Sequence, residues 1–585
     1  MNNLIFKRIE NGLLNNTNQI CFARKVRGKW QYTSNVQYFN YARNIAYGLI
    51  QIGITSNDMV VILSENRPEW NYVDLALLKS GIISVPLYAT ISDDQLVEIL
   101  NETESKIIFV SNKYLYRKVK DNQHRLSSLK FIYSFNEIEG VSNIYELIEL
   151  GKSNPQPEKL NEIEANIKLT DVYSILYTSG TTGSAKGVML THESHSIVIK
   201  DMSERTNIQD GDRTILYLPL NNSFGRTITY IAQIKGMTTY YIDGIETILQ
   251  MFQEVKPTFL STIPILLERI INNVIARGET FEGEQRQFFE MAKNIFSKFI
   301  NINELTPEEQ NLFPIIDKKL FEEWRNILGG KMKVLLAGGA QVSKEIIHFY
   351  RALGITILNG YGLTETSGVI AADTHNELPK PNRCGRKITG MEIKLDIDGE
   401  ILARGKNLMV GYFKHPEITE ETIDKEGWIH TGDIGIIDDD GYIGVIGRKK
   451  SAFKNAAGTF VYPEPIEDEL KKSDFISQIV VTGLNKPYLI AIILVNKEYI
   501  ANWAYKNNIN YNAIEELETN AQFINEIIKV IEPYNKNKIN KANKILKFKI
   551  LFDNWSVKTG ELTPTMKVKR NFLLKKYFST IENLY

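Results

Sequence analysis

The sequence predicts an α/β protein of two domains: a large N-terminal domain of layered α/β subdomains and a small C-terminal α+β domain. Short apolar runs alternate with helix-like stretches between residues 60 and 110, the same rhythm returns after residue 210, and the texture changes after Gly447. A chain of 585 residues is also longer than one ordinary hydrophobic core supports, so two or more domains are expected on size alone.

In chain order, the runs 60–63, 82–86 and 107–110 bracket helix-like stretches at 70–78 and 95–100, the pattern of βαβ units and a parallel sheet. The run 172–176 leads into Tyr177-Thr-Ser-Gly-Thr-Thr-Gly-Ser-Ala-Lys186-Gly187, and 188–190 is apolar again. A Gly- and hydroxyl-rich loop between two strands is expected there. Further strand-like runs at 214–218, 238–242, 333–337 and 355–358 each end in Gly-, Pro- or Asn-containing turns. Between 270 and 329 the pattern turns helical, with Phe288, Met291, Ala292, Ile295 and Phe299 at helical spacing. Such a stripe is expected to face a core rather than lipid. A boundary is expected near 448–451, dividing 1–447 from 448–585, and the second part holds strand-like runs at 478–482 and 489–495. Six lysines fall within 536–549, read as a solvated helix face ahead of a phosphate-facing surface.

Hydrophobic content of 43%, charged content of 24% and aromatic content of 10% are those of a globular chain. Lys+Arg and Asp+Glu each total 69, so no global field draws the chain to nucleic acid or an anionic surface. The lysine-rich stretch lacks interleaved aromatic platforms for bases, and no nucleic-acid partner is expected. Cys21 and Cys384 are the only cysteines, which make neither a disulfide framework nor a metal-ligand cluster; a reducing, cytoplasmic setting is expected. No leader pattern and no run of about 18 apolar residues is found, so no signal peptide or membrane span is expected; peripheral contact with a membrane stays open.

The 177–187 loop has a clear physical sense. Glycines permit unusual backbone angles and close approach, hydroxyls and amides donate to phosphate oxygens, and Lys186 offsets polyphosphate charge. It is not a Walker loop, which needs Gly before the lysine and Ser or Thr after it, where this chain has Ala185 and Gly187.

The loop resembles the signature of the adenylate-forming, AMP-binding superfamily, which includes acyl-CoA synthetases, peptide-synthetase adenylation domains and luciferases. The family usually has Pro at the position of Ala185, a change expected to alter loop mobility more than chemistry. Further blocks follow in family order: Leu335-Leu-Ala-Gly-Gly-Ala340, Asn359-Gly-Tyr-Gly-Leu-Thr-Glu-Thr-Ser367, Gly427-Trp-Ile-His-Thr-Gly-Asp433, Gly447-Arg-Lys-Lys-Ser451 and Leu562-Thr-Pro-Thr-Met-Lys-Val-Lys-Arg570. The resemblance covers nearly the whole chain. It implies an acyl-CoA synthetase-like fold whose small C-terminal domain is mobile, with ATP and Mg²⁺ as cofactors and coenzyme A as co-substrate.

By that resemblance, Thr178, Ser179, Gly180, Thr181, Thr182, Gly183 and Lys186 form the phosphate loop. Gly338, Gly339 and Ala340 line the adenine pocket, and Tyr361, followed by Gly362, lies against the base; a small-residue strand end and an aromatic face suit a flat ligand. Thr364 holds the α-phosphate, and Glu365 and Thr178 position Mg²⁺, which favours hard oxygen donors. Asp433 accepts hydrogen bonds from the ribose, Arg448 contacts nucleotide, and Lys450 is the pivot. Lys567 is the catalytic lysine, bridging carboxylate and α-phosphate. Positioning and charge offset then carry the reaction, and no side-chain nucleophile is required. The acceptor thiol attacks after the C-terminal domain rotates.

Within the superfamily, the helical insertion at 270–329 and the stretch Phe453-Lys-Asn-Ala-Ala-Gly-Thr-Phe-Val-Tyr-Pro-Glu-Pro-Ile-Glu467 resemble long-chain and very-long-chain fatty acyl-CoA synthetases. The expected function is ATP-dependent activation of a fatty acid through acyl-AMP and transfer to coenzyme A. Two departures stand against the long-chain pattern: Asn222 in Leu218-Pro-Leu-Asn-Asn-Ser-Phe-Gly-Arg226 replaces a histidine, and Ile265 replaces an arginine; Met566 replaces a glycine frequent in the wider family, at a position where long-chain members vary. Three other readings stay open: an acyl-AMP ligase loading the phosphopantetheine of an acyl carrier protein, an aryl or amino-acid adenylating enzyme, and an idle nucleotide-binding protein. Acid length and oligomeric state are not encoded in any local pattern.

Overall fold

A computed structural model describes residues 3–179, 185–242, 244–563 and 567–585, with Ser179 as backbone only. Two large sheets organise the N-terminal part. The seven-stranded sheet runs, in spatial order, Gly411–Tyr412, Ala185–Thr191, Val172–Ser179, Ile83–Leu87, Met59–Leu63, Ile107–Val110, Phe131–Ser134. The nine-stranded sheet runs Arg386–Lys387, Ala371–Ala372, Thr356–Tyr361, Val334–Gly338, Phe259–Thr262, Arg213–Leu216, Thr238–Tyr241, Ile20–Val26, Lys29–Ser34. Pairing is parallel from Thr356–Tyr361 through to Ile20–Val26, and also among the strands from Val172–Ser179 to Phe131–Ser134.

The near-continuous apolar runs follow from burial on both faces. Val60 and Ile62 point into a cluster with Ile45 and Trp70, whereas Val61 and Leu63 point the other way onto Leu96, Leu100 and Leu115. Leu336 and Leu358 of the larger sheet share the first cluster, and Leu335, Ala337 and Ile357 join a third. The helices Ile5–Asn15, Asn35–Gln51, Pro68–Lys79, His192–Arg205 and Ser223–Lys235 thus form a layer shared by both sheets.

That layer is cross-tied by polar groups. Arg226 on Ser223–Lys235 is fully buried and pairs with buried Asp74 on Pro68–Lys79. It also donates to Ser174 Oγ at 2.6 Å, Ser84 Oγ at 2.8 Å and the Tyr230 hydroxyl at 2.8 Å. The desolvation cost of the two charges is offset by this multiply bonded geometry.

The 270–329 region is helical, built from Pro264–Glu279, Gly283–Phe296, Pro307–Ile316 and Glu322–Ile327. The inward-facing side chains are Phe289, Ala292, Ile295, Phe296 and Phe299, while Met291 is exposed and Phe288 lies at the margin beneath Lys319, 3.8 Å from its ring. The stripe therefore faces the core with a phase one residue later at its start than the spacing predicts.

An antiparallel four-stranded sheet, Met391–Leu395, Glu400–Gly405, Ile429–Ile437 and Ile443–Arg448, leads to the C-terminal part. There Ile476–Thr482, Leu489–Val495 and Ile545–Leu551 form a three-stranded sheet with cores on both faces. The lysine-rich stretch is not a helix face. It spans a helix end, a 3₁₀ turn Lys541–Asn543 and that edge strand, because Ile545 and Ile550 are drawn into the sheet core. Among the described residues no helix is long and apolar enough to cross a membrane.

Candidate active site

The motif expected as a loop between strands is a β-hairpin. Val172–Ser179 and Ala185–Thr191 pair antiparallel with Tyr177 opposite Gly187 and Thr178 opposite Lys186. Gly180, Thr181, Thr182 and Gly183 lie outside the described residues, as does the side chain of Ser179. Cross-strand pairing places Thr178 and Lys186 side by side at the end of the hairpin where the two strands are connected. Lys186 Nζ lies 5.2 Å from the centre of the Tyr412 ring, and the Tyr412 hydroxyl donates to Glu365 Oε1 at 2.8 Å. Tyr412 comes from Gly411–Tyr412, which adds to the same sheet edge opposite Val188. Glu365 is held in a 3₁₀ turn, Thr364–Thr366, whose position is fixed by Met409 N donating to Glu365 O at 2.8 Å.

A second cluster starts four residues earlier on the same segment. The Tyr361 hydroxyl donates to Asp433 Oδ2 at 2.7 Å, and Arg448 Nε reaches Asp433 Oδ1 at 2.9 Å. Asp433 and Arg448 are direct partners on adjacent strands. Burial pushes the Asp433 carboxyl above its ordinary range, opposed by Arg448, the Tyr361 hydrogen bond and the charge of Lys567. Burial also pushes the Tyr361 hydroxyl well up, with Asp433 adding to it, so it stays a donor.

Two glycines shape the floor. A Cβ on Gly362 would fall 2.3 Å from Gly368 O, so only glycine lets the 362–368 segment fold back on itself. Gly338 ends its strand against the Phe224 ring, 3.1 Å from where a Cβ would stand, and Gly339 and Ala340 lie exposed beyond it. Phe224 sits in the first turn of Ser223–Lys235, capped by Asn222, whose Oδ1 accepts from Phe224 N at 2.8 Å. The Tyr88 hydroxyl also hydrogen-bonds the Asn222 side chain.

Lys567 belongs to the C-terminal part, yet its charge is felt at Asp433, and it feels Asp433, Arg448, Asp468 and Lys471 in return. Its ammonium pKa is lowered, chiefly by desolvation and then by Arg448. The segment is anchored by Lys567 N donating to Thr563 Oγ1 at 3.1 Å. Lys450 joins neither cluster. It is exposed in the 3₁₀ turn Lys449–Ser451, and its neighbour Lys449 makes the bonds there, to Asp398 at 2.5 Å and Glu400 at 2.8 Å.

Thus the structure forms two clusters, Lys186–Tyr412–Glu365 and Tyr361–Asp433–Arg448, joined through the 361–365 segment, with the charge of Lys567 acting on Asp433. It adds Tyr412, for which no local pattern in the sequence gives a signal; Tyr412 is reached only through the sheet edge it joins. Glu365 Oε2 has no partner among the described residues and, with the Thr178 hydroxyl, offers the oxygen chemistry a magnesium ion takes.

Residues 14–413 match the AMP-binding enzyme family, and residues 455–585 match the AMP-binding enzyme C-terminal domain. The chain belongs to the AMP-binding enzyme family. It is 32% identical over 571 residues to the long-chain-fatty-acid–CoA ligase FadD15 of Mycobacterium bovis, covering 97% of this chain and 94% of that one. Its fold matches the adenylation domain of a carboxylate reductase from Mycobacterium chelonae with a TM-score of 0.74 at 20% identity, covering 100% of this chain and 91% of that one. It also matches the Bacillus subtilis O-succinylbenzoate coenzyme A synthetase solved with ATP and a magnesium ion, with a TM-score of 0.66 at 18% identity and coverage of 96% and 98%.

Proposed function

We propose that this chain is an ATP-dependent long-chain fatty acid–CoA ligase working through an acyl-adenylate. The observation that carries the reading is the Tyr361–Asp433–Arg448 cluster, built from three separate stretches of the chain, with the charge of Lys567 from the C-terminal part acting on its carboxylate. A cation delivered by a separate domain suits a reaction in which two anions, a carboxylate and the α-phosphate, must meet. Full-length likeness to a fatty acid–CoA ligase supports the acid class and the acceptor.

In the first half-reaction a carboxylate oxygen attacks the α-phosphorus of ATP and the bond to the β-phosphate breaks, releasing pyrophosphate. Lys567 offsets the joined negative charge, Lys186 and the hairpin hold the departing end, and Thr364 donates to the α-phosphate. Asp433 takes the ribose hydroxyls, while Tyr361 and the 338–340 strand end accept the base. Thr178 and Glu365 hold Mg²⁺, which when bound neutralises phosphate charge. In the second half-reaction the CoA thiol loses its proton and attacks the acyl carbonyl, and AMP leaves.

The test is pyrophosphate release from MgATP across saturated C2 to C20 acids, with and without CoA. CoA-stimulated turnover on the long acids is the expected result. Release without CoA stimulation would move the acceptor to a carrier-protein phosphopantetheine, and silence throughout would overturn the ligase reading.

A further inference from the structure

An ion pair far from the nucleotide cleft ties the two parts of the molecule together. Lys472 Nζ reaches Glu268 Oε1 at 3.2 Å, with side chains 34% and 16% exposed, and shares its charge with Glu469 Oε2 of the C-terminal part at 2.8 Å. Glu268 lies on the helix Pro264–Glu279 of the N-terminal part; Lys472 follows the helix Pro463–Leu470 of the C-terminal part. Among the described residues it is the ion pair that joins the chain beyond residue 451 to the chain before 447.

What lies behind Lys472 makes the contact consequential. The helix Pro463–Leu470 carries Glu467, which is buried, accepts from Val481 N at 2.6 Å and pairs with Arg570. Arg570 is three residues from Lys567, and Lys569 N donates to Glu561 O at 2.8 Å, fixing the segment between them. Asp468 and Lys471, on the same stretch as Lys472, are among the charges that Lys567 feels. A chain of contacts therefore runs from Glu268 through Lys472, the 463–470 helix and Glu467–Arg570 to the segment that carries Lys567. At its other end the helix abuts the last strand of the four-stranded sheet, where a Cβ on Gly447 would stand 2.8 Å from Tyr462 Cβ.

From this arrangement we infer that Glu268–Lys472 is a latch that holds the C-terminal part in the orientation that delivers Lys567 to the nucleotide, and that it opens when the acceptor thiol is to react. The inference rests on the ligase reading for its two half-reactions. Glu268 and Lys472 are positioning residues: neither touches nucleotide, and both act through Lys567. A partly exposed pair of this kind biases a two-state equilibrium modestly, so its loss shifts a rate rather than abolishing it.

The full-length chain carrying Glu268→Gln, Lys472→Gln, or the exchange Glu268→Lys with Lys472→Glu tests this. ATP–pyrophosphate exchange with palmitate reads adenylation; thioester formation from synthetic palmitoyl-AMP and CoA reads transfer. Each single variant should slow exchange about threefold to fivefold and leave transfer unchanged or faster. The charge exchange should restore the wild-type ratio of the two rates. Equal loss in both assays, an unchanged ratio in the single variants, or failure of the exchange to restore it would overturn the latch. Trypsin cleavage after the exposed Arg448, Lys449 and Lys450 reads the same orientation without catalysis. Faster cleavage in the single variants, reversed by the exchange, is expected, and identical rates would overturn the latch even if a silent wild type had sunk the ligase reading.

Discussion

Lys567 meets two opposed demands. In the proposed first half-reaction it acts protonated, drawing two anions together, while desolvation and Arg448 push its pKa down, and Asp468 and Asp433 push it back. Removing it deletes the cation that the C-terminal part contributes to that step. Lys567→Ala should lower adenylate formation by about 10²- to 10³-fold while thioester formation from preformed acyl-AMP survives; equal losses would remove it from the first half-reaction. Tyr412 acts one shell further out. Its hydroxyl occupies Glu365 Oε1, leaving Oε2 without a partner among the described residues, and its ring lies beneath Lys186. Tyr412→Phe keeps the ring and deletes the donor. The Mg²⁺ concentration for half-maximal exchange should rise about tenfold, and calorimetric binding of MgATP should weaken in parallel; unchanged metal dependence would make the tyrosine a packing residue only.

At the scale of elements, the helix Ser223–Lys235 links core and cleft. Its first turn holds Phe224 against Gly338, and its body carries Arg226 and Thr227 into the buried network. Asp74→Ala would strand a buried guanidinium and should cost about 3–5 kcal/mol in denaturant unfolding. Beside it, His195 is buried, with Nε2 bonded to Thr227 Oγ1 at 2.7 Å and Nδ1 to the Tyr173 hydroxyl. Burial, then Arg226, pushes its pKa down to about 3 from 6.5. At pH above 6.5 neither state is charged; as pH falls below 6.5 the unfolded chain binds a proton the folded one refuses, so stability drops toward pH 3. Urea unfolding at pH 7 and pH 5 should show a fall that His195→Asn reduces by about 2 kcal/mol over that interval, and an equal fall in both proteins would refute the buried neutral histidine. The strands and the order of motifs were legible because apolar runs and glycine turns are local signals. The Arg226–Asp74 and Tyr412–Glu365 contacts were not, since they join residues distant in the chain through the sheet and layer geometry. The lysine stretch was misread as a helix because its charges obscured the alternation of Ile545 and Ile550 into the sheet core.

For the whole molecule, the decisive property is that one orientation of the C-terminal part sets the Glu268–Lys472 ion pair while the charge of Lys567 acts on Asp433. No single motif encodes that agreement; it emerges when residues from both parts meet across the cleft. On the proposed ligase reading, the second half-reaction needs Lys567 withdrawn by a rotation about Lys450, in the exposed turn Lys449–Ser451, and that rotation would have to carry or break the Lys449 ion pairs to Asp398 and Glu400. Proline fixes φ near −65°. Lys450→Pro should accordingly leave ATP–pyrophosphate exchange within about twofold of wild type while lowering thioester formation from acyl-AMP by about 10²-fold or more, as expected when binding competence depends on a conformer that has become rare. Comparable transfer rates in the variant and the wild type would place the pivot elsewhere in the chain, and a matched loss in both half-reactions would mean that the turn supports the cleft rather than moving it.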